Sequence, residues 1–221
     1  MVFIFTNNTK AVIFDLDGTL LDSSKVYYVA TEKTFANKDK KYGFQLGKVI
    51  EKYGVIRGAE LVGISKEEMK SWLHAWIELQ EDYTSIFSSV PSLLHNLSDS
   101  GYICGINTNR PQSPEEVRFS LQKFSINHMI PVIQTSLTTG VRKPDPKGIN
   151  EILSELHISK DQCFFVGDSY VDIMAGTNAG VNTIAVTTGV YSKNELEEYS
   201  PHYIIKDISS VENIVNTFFE D

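Results

Sequence analysis

The chain has 221 residues, 42% of them hydrophobic, and its 28 acidic side chains outnumber 20 Lys and Arg for a formal net charge of -8. That length buries a substantial core, as one large domain or as a core domain with a smaller insert. The acidic balance argues against the basic face of a nucleic-acid binder, but not against an anionic small molecule, because a few local cations or a bound metal reverse the potential inside a cleft.

The opening MVFIFTNNTK is apolar for only a few residues and lacks both a basic leader and a small-residue cleavage pattern. It reads as neither a secretory signal nor a membrane span, and cytoplasmic residence is the default expectation. VFIF is either an edge strand or a cover for the core. KAVIFDLDGT follows, an apolar run that ends in Asp15 and Asp17, where core packing has no use for carboxylates. At the carboxyl end of a parallel strand both can face the crevice in which open sheets bind ligands, and Gly18 with Thr19 permits a tight exit.

Residues 22–89 break the strand rhythm. Helical periodicity runs through 25–35, 44–53 and 66–80, which predicts a helical insert after the first strand. Within it, NKDKKYG reads as a solvated turn or helix end, with a phosphate patch as the alternative. Trp72 and Trp76 stand one helical turn apart and are expected to pack against a neighbouring helix. Gly63 with Leu61 and Val62 is one candidate for a loop of the insert, not the favoured reading. His74, the insert's single histidine, lies within the Trp-bearing helix and suits packing or surface better than catalysis.

The remaining chain alternates. YICGINTN, IPVIQTS, QCFFVGDS, NTIAVTTG and HYIIKD read as strands, and 115–124, 146–156, 172–179 and 211–219 as helices. This order predicts an α/β fold: a Rossmann-like three-layer core with a mainly parallel sheet and an inserted α-helical cap. The expected boundaries are 1–21 with 90–221 for the core and 22–89 for the cap. Cys104 and Cys163 fall in strands and read as buried thiols, since no Cys or His spacing supports zinc.

Several polar residues sit at strand ends. Thr108 and Asn109 close YICGI, where a hydroxyl and a backbone amide can hold phosphoryl oxygens. Lys143 lies in GVRKPDP between prolines that fix its backbone, able to aim an ammonium at an anion. Asp168 and Asp172 follow CFFVG, the latter at a helix start. Each acidic pair alone also suits turns, caps or a surface pair. If the two strand ends adjoin, the carboxylates converge, and an oxygen-seeking divalent cation is the natural way to keep them ionised together. Mg²⁺ suits a sparse set that leaves room for waters and a substrate oxygen.

Taken in order, DLDGTLLDS, NTN, RKPDP and GDSYVD resemble the four motifs of the haloacid dehalogenase-like hydrolase superfamily, in its helical-cap phosphatase branch, near phosphoglycolate phosphatase-like and pyrophosphatase-like members. The resemblance implies that Asp15 is a nucleophile forming an aspartyl-phosphate and that Asp17 is the general acid and base. It implies Mg²⁺ held by Asp15, Asp168 and the Asp17 carbonyl, with Asp172 supporting the metal shell and orienting Lys143, while Thr108 and Lys143 offset phosphoryl charge. Asn109 and Gly18 would be supporting residues. Arg110 occupies a place where relatives often carry a basic residue, with a surface role as the alternative. The implied partner is a small phosphorylated metabolite, not nucleic acid or membrane, and a monomer is the default. A phosphoglucomutase-like phosphotransferase and an inactive regulatory protein of the same fold are the alternatives.

Overall fold

The computed structural model describes residues 9–35, 49, 50, 52, 53, 58 and 60–220. The chain divides into two compact units, one of Met1–Leu20 with Ile86–Asp221 and one of Leu21–Ser85. The strand suggested by VFIF, the turn suggested by NKDKKYG and most of the helix expected over 44–53 lie outside the described residues.

In the larger unit, strands β1 (Lys10–Phe14), β4 (Tyr102–Thr108), β5 (Val132–Thr135), β6 (Cys163–Gly167), β7 (Asn182–Val186) and β8 (Tyr203–Ile205) form one sheet in the order β5-β4-β1-β6-β7-β8. Every neighbouring pair is parallel. A parallel sheet carries helices on both faces, so its strands are apolar throughout rather than alternating. The described strands obey this: Ala11, Val12, Ile13 and Phe14 are all buried. Ala11, Ile13 and Phe165 join one core cluster with Ile149, Ile152 and Leu156 of α6 (Lys147–Leu156) and Ala175 and Ala179 of α7 (Tyr170–Ala179). Phe164, one residue along β6 and therefore on the other face, meets Phe218 and Phe219 of α9 (Val211–Glu220) at ring separations of 5.0 and 5.7 Å. The three layers follow from these two packings.

The chain leaves β1 for β4 and β5 on one side and returns to β6, β7 and β8 on the other. Central β1 therefore sits at the topological switch, where the carboxyl ends of open α/β sheets form a crevice. Phe14 is level with Ile106 of β4 and Val166 of β6, and the Asp15 N–H donates to the Val166 carbonyl at 2.8 Å. The residues that follow these three strands are thereby set side by side.

The paired strands β2 (Leu21–Asp22) and β3 (Ser85–Ile86) mark where the chain enters and leaves the smaller unit. Between them α1 (Ser24–Thr34) packs on α2 (Lys66–Tyr83). Helix α2 starts at a capping box, in which the Ser65 hydroxyl accepts the Glu68 N–H and Glu68 accepts the Ser65 N–H, satisfying two donors that a helix start leaves open. Trp72 and Trp76 are buried among Val26, Ala30, Phe35 and Ile50, as their spacing predicts. The Trp72 indole N–H donates to the Thr31 hydroxyl at 2.9 Å. His74 points outward, its side chain 81% exposed and 3.6 Å from Glu78. The candidate loop at Leu61, Val62 and Gly63 is corrected: Leu61 and Val62 are helical, and Gly63 is the turn after them.

Helix α3 (Val90–Asp99) was absent from the expected elements, although its buried Val90, Leu93, Leu94 and Leu97 have helical spacing; a proline at its start suits the first turn. Helix α4 (Pro114–Gln122) begins at a Ser113–Glu116 capping box. The short α5 (Ser136–Thr139) and α8 (Lys193–Glu197) are single turns held by the Thr135–Thr138 and Ser192–Glu195 boxes, too short to show periodicity. Cys104 and Cys163 are free and buried, and burial pushes the Cys104 thiol up to about 12 and Cys163 upward as well. Among the described residues, no helix is long and apolar enough to cross a membrane.

Candidate active site

Asp15 and Asp168 lie just beyond β1 and β6, and Asp172 lies in the first turn of α7. One carboxylate oxygen from each lies within 4.8 Å of the others, and all three residues are buried. Asp172 is held by its own helix start: its carboxylate accepts from the Ser169 N–H at 3.0 Å and from the Ser169 hydroxyl. It is therefore a helix cap and a member of the cluster at once. Asp168 accepts from the Thr19 hydroxyl at 3.2 Å.

Lys143 enters from the loop before α6, beside a cis bond to Pro144. Its ammonium pairs with Asp15 and, at 2.6 Å, with Asp172. Burial alone would lower its pKa; the Asp15 and Asp172 charges win and raise it, so the lysine remains a cation. Asp15 is pushed up to about 7 by burial, which Lys143 opposes and the charges of Asp172 and Asp17 reinforce. Asp168 is raised by burial and by Asp172 and Asp15. Both shifts come first from burial and then from the crowding of three carboxylates beside one ammonium. That leaves two negative charges in excess in a dry, all-oxygen donor set, which fits a small hard divalent cation.

The other predicted residues separate into different jobs. Thr108, buried at the end of β4, accepts the Arg110 N–H at 3.2 Å through its hydroxyl. Asn109 clamps the lysine backbone, accepting the Lys143 N–H at 2.8 Å and donating to the Lys143 carbonyl at 3.5 Å. Gly18 turns with a φ of +84°, a conformation in which a side chain is strained, and a Cβ there would lie 2.5 Å from Asp168 Oδ2. The Asp17 carboxylate is outside the three-carboxylate group and pairs with Arg110, whose Nε and Nη2 donate to its two oxygens at 2.7 and 2.6 Å. Arg110 itself is buried, which removes the surface alternative.

Two participants escaped the sequence reading. A Cβ at Gly189 would fall 1.7 Å from Asp168 Oδ2, and the Thr188 hydroxyl donates to the Gly18 carbonyl at 2.6 Å. Both follow β7, whose glycine-stopped apolar run carries the same strand-end signature as the acidic motifs.

The profile described as haloacid dehalogenase-like hydrolase matches residues 12–186. The chain is similar to the pyrophosphatase PpaX of Bacillus velezensis, at 28% identity over 208 residues covering 92% of this chain and 95% of that one. It is also similar to the phosphoglycolate phosphatase of Vibrio cholerae, at 27% identity over 223 residues covering 93% and 96%. Among solved structures, one described as "a predicted phosphoglycolate phosphatase" from Haemophilus somnus superposes with a TM-score of 0.78 at 20% identity, covering 94% of this chain and 98% of that one.

Proposed function

The chain belongs to the haloacid dehalogenase-like hydrolases, and from that premise we propose that it is a Mg²⁺-dependent phosphatase that hydrolyses a small phosphorylated metabolite through a phosphorylated Asp15. One observation carries the reading: Asp15, Asp168 and Asp172 bring carboxylate oxygens within 4.8 Å of one another beyond the ends of β1 and β6, with the Lys143 ammonium paired to Asp15 and Asp172. A cluster with excess negative charge suits an electrophile only if cations offset the approaching anion.

In this reading an Asp15 oxygen attacks phosphorus as the bond to the leaving oxygen breaks, and Asp17 delivers a proton to that oxygen. Asp17 then takes a proton from the water that attacks the aspartyl-phosphate, releasing phosphate and restoring the Asp15 carboxylate. Lys143, and Thr108 through its hydroxyl, offset charge on the transferring oxygens. Mg²⁺, held by Asp15, Asp168 and the Asp17 carbonyl, would supply the remaining charge neutralisation. Asp172 keeps Lys143 aimed at Asp15, and Asn109 fixes the backbone from which Lys143 projects.

The test is phosphate release from small esters and pyrophosphate, beginning with the substrates named for the relatives, with and without Mg²⁺, together with rapid-quench mass spectrometry. Turnover should vanish on chelation and the transient phosphate should map to Asp15. Asp15→Asn should form no phosphoenzyme. Asp17→Asn should lose on the order of 10²–10⁴ in turnover, the range for a lost general acid or base. A phosphate adduct on Ser23 or Thr108 during productive turnover, with Asp15 unmodified, would sink the mechanism. A folded phosphoprotein turned over far faster than every small ester would sink the substrate class.

A further inference from the structure

We propose that Arg110 is the positioning residue for Asp17, fixing the direction from which the proton reaches the leaving oxygen; the proposal rests on the phosphatase reading. Asp17 lies three residues beyond the end of β1, in a bridge position just before the turn that begins at Gly18. It is also not one of the three carboxylates gathered within 4.8 Å. Its aim matters, because a proton donor works only within hydrogen-bond reach of its target.

Arg110 supplies that aim. Its planar fork meets both Asp17 oxygens, at 2.7 and 2.6 Å, which sets the carboxylate's plane as well as its place; a lysine ammonium is a point charge and would set only the place. The guanidinium is only 2% exposed and the Asp17 side chain 15%, so the arginine lies beneath the carboxylate it holds. Its own backbone is pinned twice, by its N–H to the Thr108 hydroxyl at 3.2 Å and by the Ser136 hydroxyl to its carbonyl at 3.0 Å. The grip thus connects Asp17 to the end of β4 and the start of α5. Four lone-pair sites on a carboxylate leave Asp17 able to face a ligand while gripped. The two cations divide the work: Lys143 serves Asp15 and Asp172, and Arg110 serves Asp17. A buried ion pair is poor value as a stability device compared with apolar packing, which points to aiming as the use of this one.

The experiment measures kcat/KM for aryl phosphates of increasing leaving-group basicity, from p-nitrophenyl to phenyl phosphate, because this ratio reports the phosphorylation step. In Arg110→Ala, phenyl phosphate should lose on the order of 10²-fold, the scale of a misplaced catalytic group, and p-nitrophenyl phosphate less than about tenfold. Free guanidinium ion should restore part of the loss. In an Asp17→Asn background, Arg110→Ala should add no further dependence on the leaving group. Arg110→Lys, which keeps the charge and the stem, should show the same steepening to a smaller degree and serves if the alanine variant does not fold. Parallel losses across the series, or a steepening that persists without the Asp17 carboxylate, would overturn the proposal while leaving the phosphatase reading intact. Absence of hydrolysis of any ester by the wild-type protein would overturn the phosphatase reading, and this proposal with it.

Discussion

The 1.7 Å between a Cβ built on Gly189 and Asp168 Oδ2 is far inside any contact that atoms tolerate. A methyl at 189 cannot be accommodated unless the Asp168 carboxylate moves, and that carboxylate is a proposed Mg²⁺ ligand. Gly189→Ala should therefore weaken Mg²⁺ binding by about 10- to 100-fold, as displaced supports of metal ligands do, with the fold retained; calorimetric titration of the metal-free protein checks it. Unchanged affinity would show that Asp168 is not a ligand. Asp15, Lys143 and Asp168 are legible in the sequence because charged residues interrupt apolar or proline-fixed backbone where packing gives them no reason to be. Gly189 is not, because a glycine at a strand end signals a turn and says nothing of which distant side chain needs the space. Asn109 shows the same limit: its amide was legible as a polar strand end, but its service to the Lys143 backbone depends on a contact between residues 34 apart.

At the scale of elements, α1 and α2 share a polar bond inside an aromatic cluster, besides the exposed Lys33–Glu78 pair at 2.6 Å. The Thr31 hydroxyl donates to the Tyr27 carbonyl at 2.6 Å and receives the Trp72 indole N–H at 2.9 Å, while Tyr27 lies 5.8 Å from both indole rings. Trp72→Phe should keep most of the packing but lose the bond, costing about 1 kcal/mol. Trp72→Ala should cost about 3–5 kcal/mol, the range for emptying a buried aromatic site. Urea unfolding followed by circular dichroism measures both, and equal costs would mean that the indole N–H dominates over its ring. The long elements are legible because their burial repeats: Trp72 and Trp76 by four on α2, and continuous apolar runs on the parallel strands. The single-turn α5 and α8 are not, since their stability resides in one capping exchange each. Helix α3 carries a complete apolar period, so its absence from the expected elements reflects a signal overlooked between the insert and the sheet.

For the molecule as a whole, alternation of strand and helix makes the α/β class legible, whereas the order of the sheet is not, because nothing local states that β6 returns to the opposite side of β1 from β4. That return brings the Asp168 charge to Asp15, and pH dependence follows from it. Burial and like charge raise Asp15 from an ordinary carboxylate value of 3.8 to about 7 and raise Asp168 as well. A raised carboxyl pKa means that the folded protein holds more protons than the unfolded chain between those two values, so its contribution to stability is present at low pH and is lost as pH rises through the window. Lys143, also raised, changes nothing there, because its ammonium is protonated in both states. Exposed carboxylates with lowered values, such as Glu116 and Asp207, act in the opposite sense with or without metal. The difference between metal-loaded and metal-free protein cancels them. Mg²⁺ needs the carboxylates ionised and competes with their protons, so the gain in Tm on adding Mg²⁺ should be small near pH 5 and grow through about pH 7. At a free concentration of about 100 times Kd the gain corresponds to about 2.7 kcal/mol. Thermal unfolding with excess Mg²⁺ against chelator, across that range, reads the curve directly. Asp168→Asn should flatten it, and a gain that stays constant or shrinks as pH rises would show that the metal does not bind through these carboxylates.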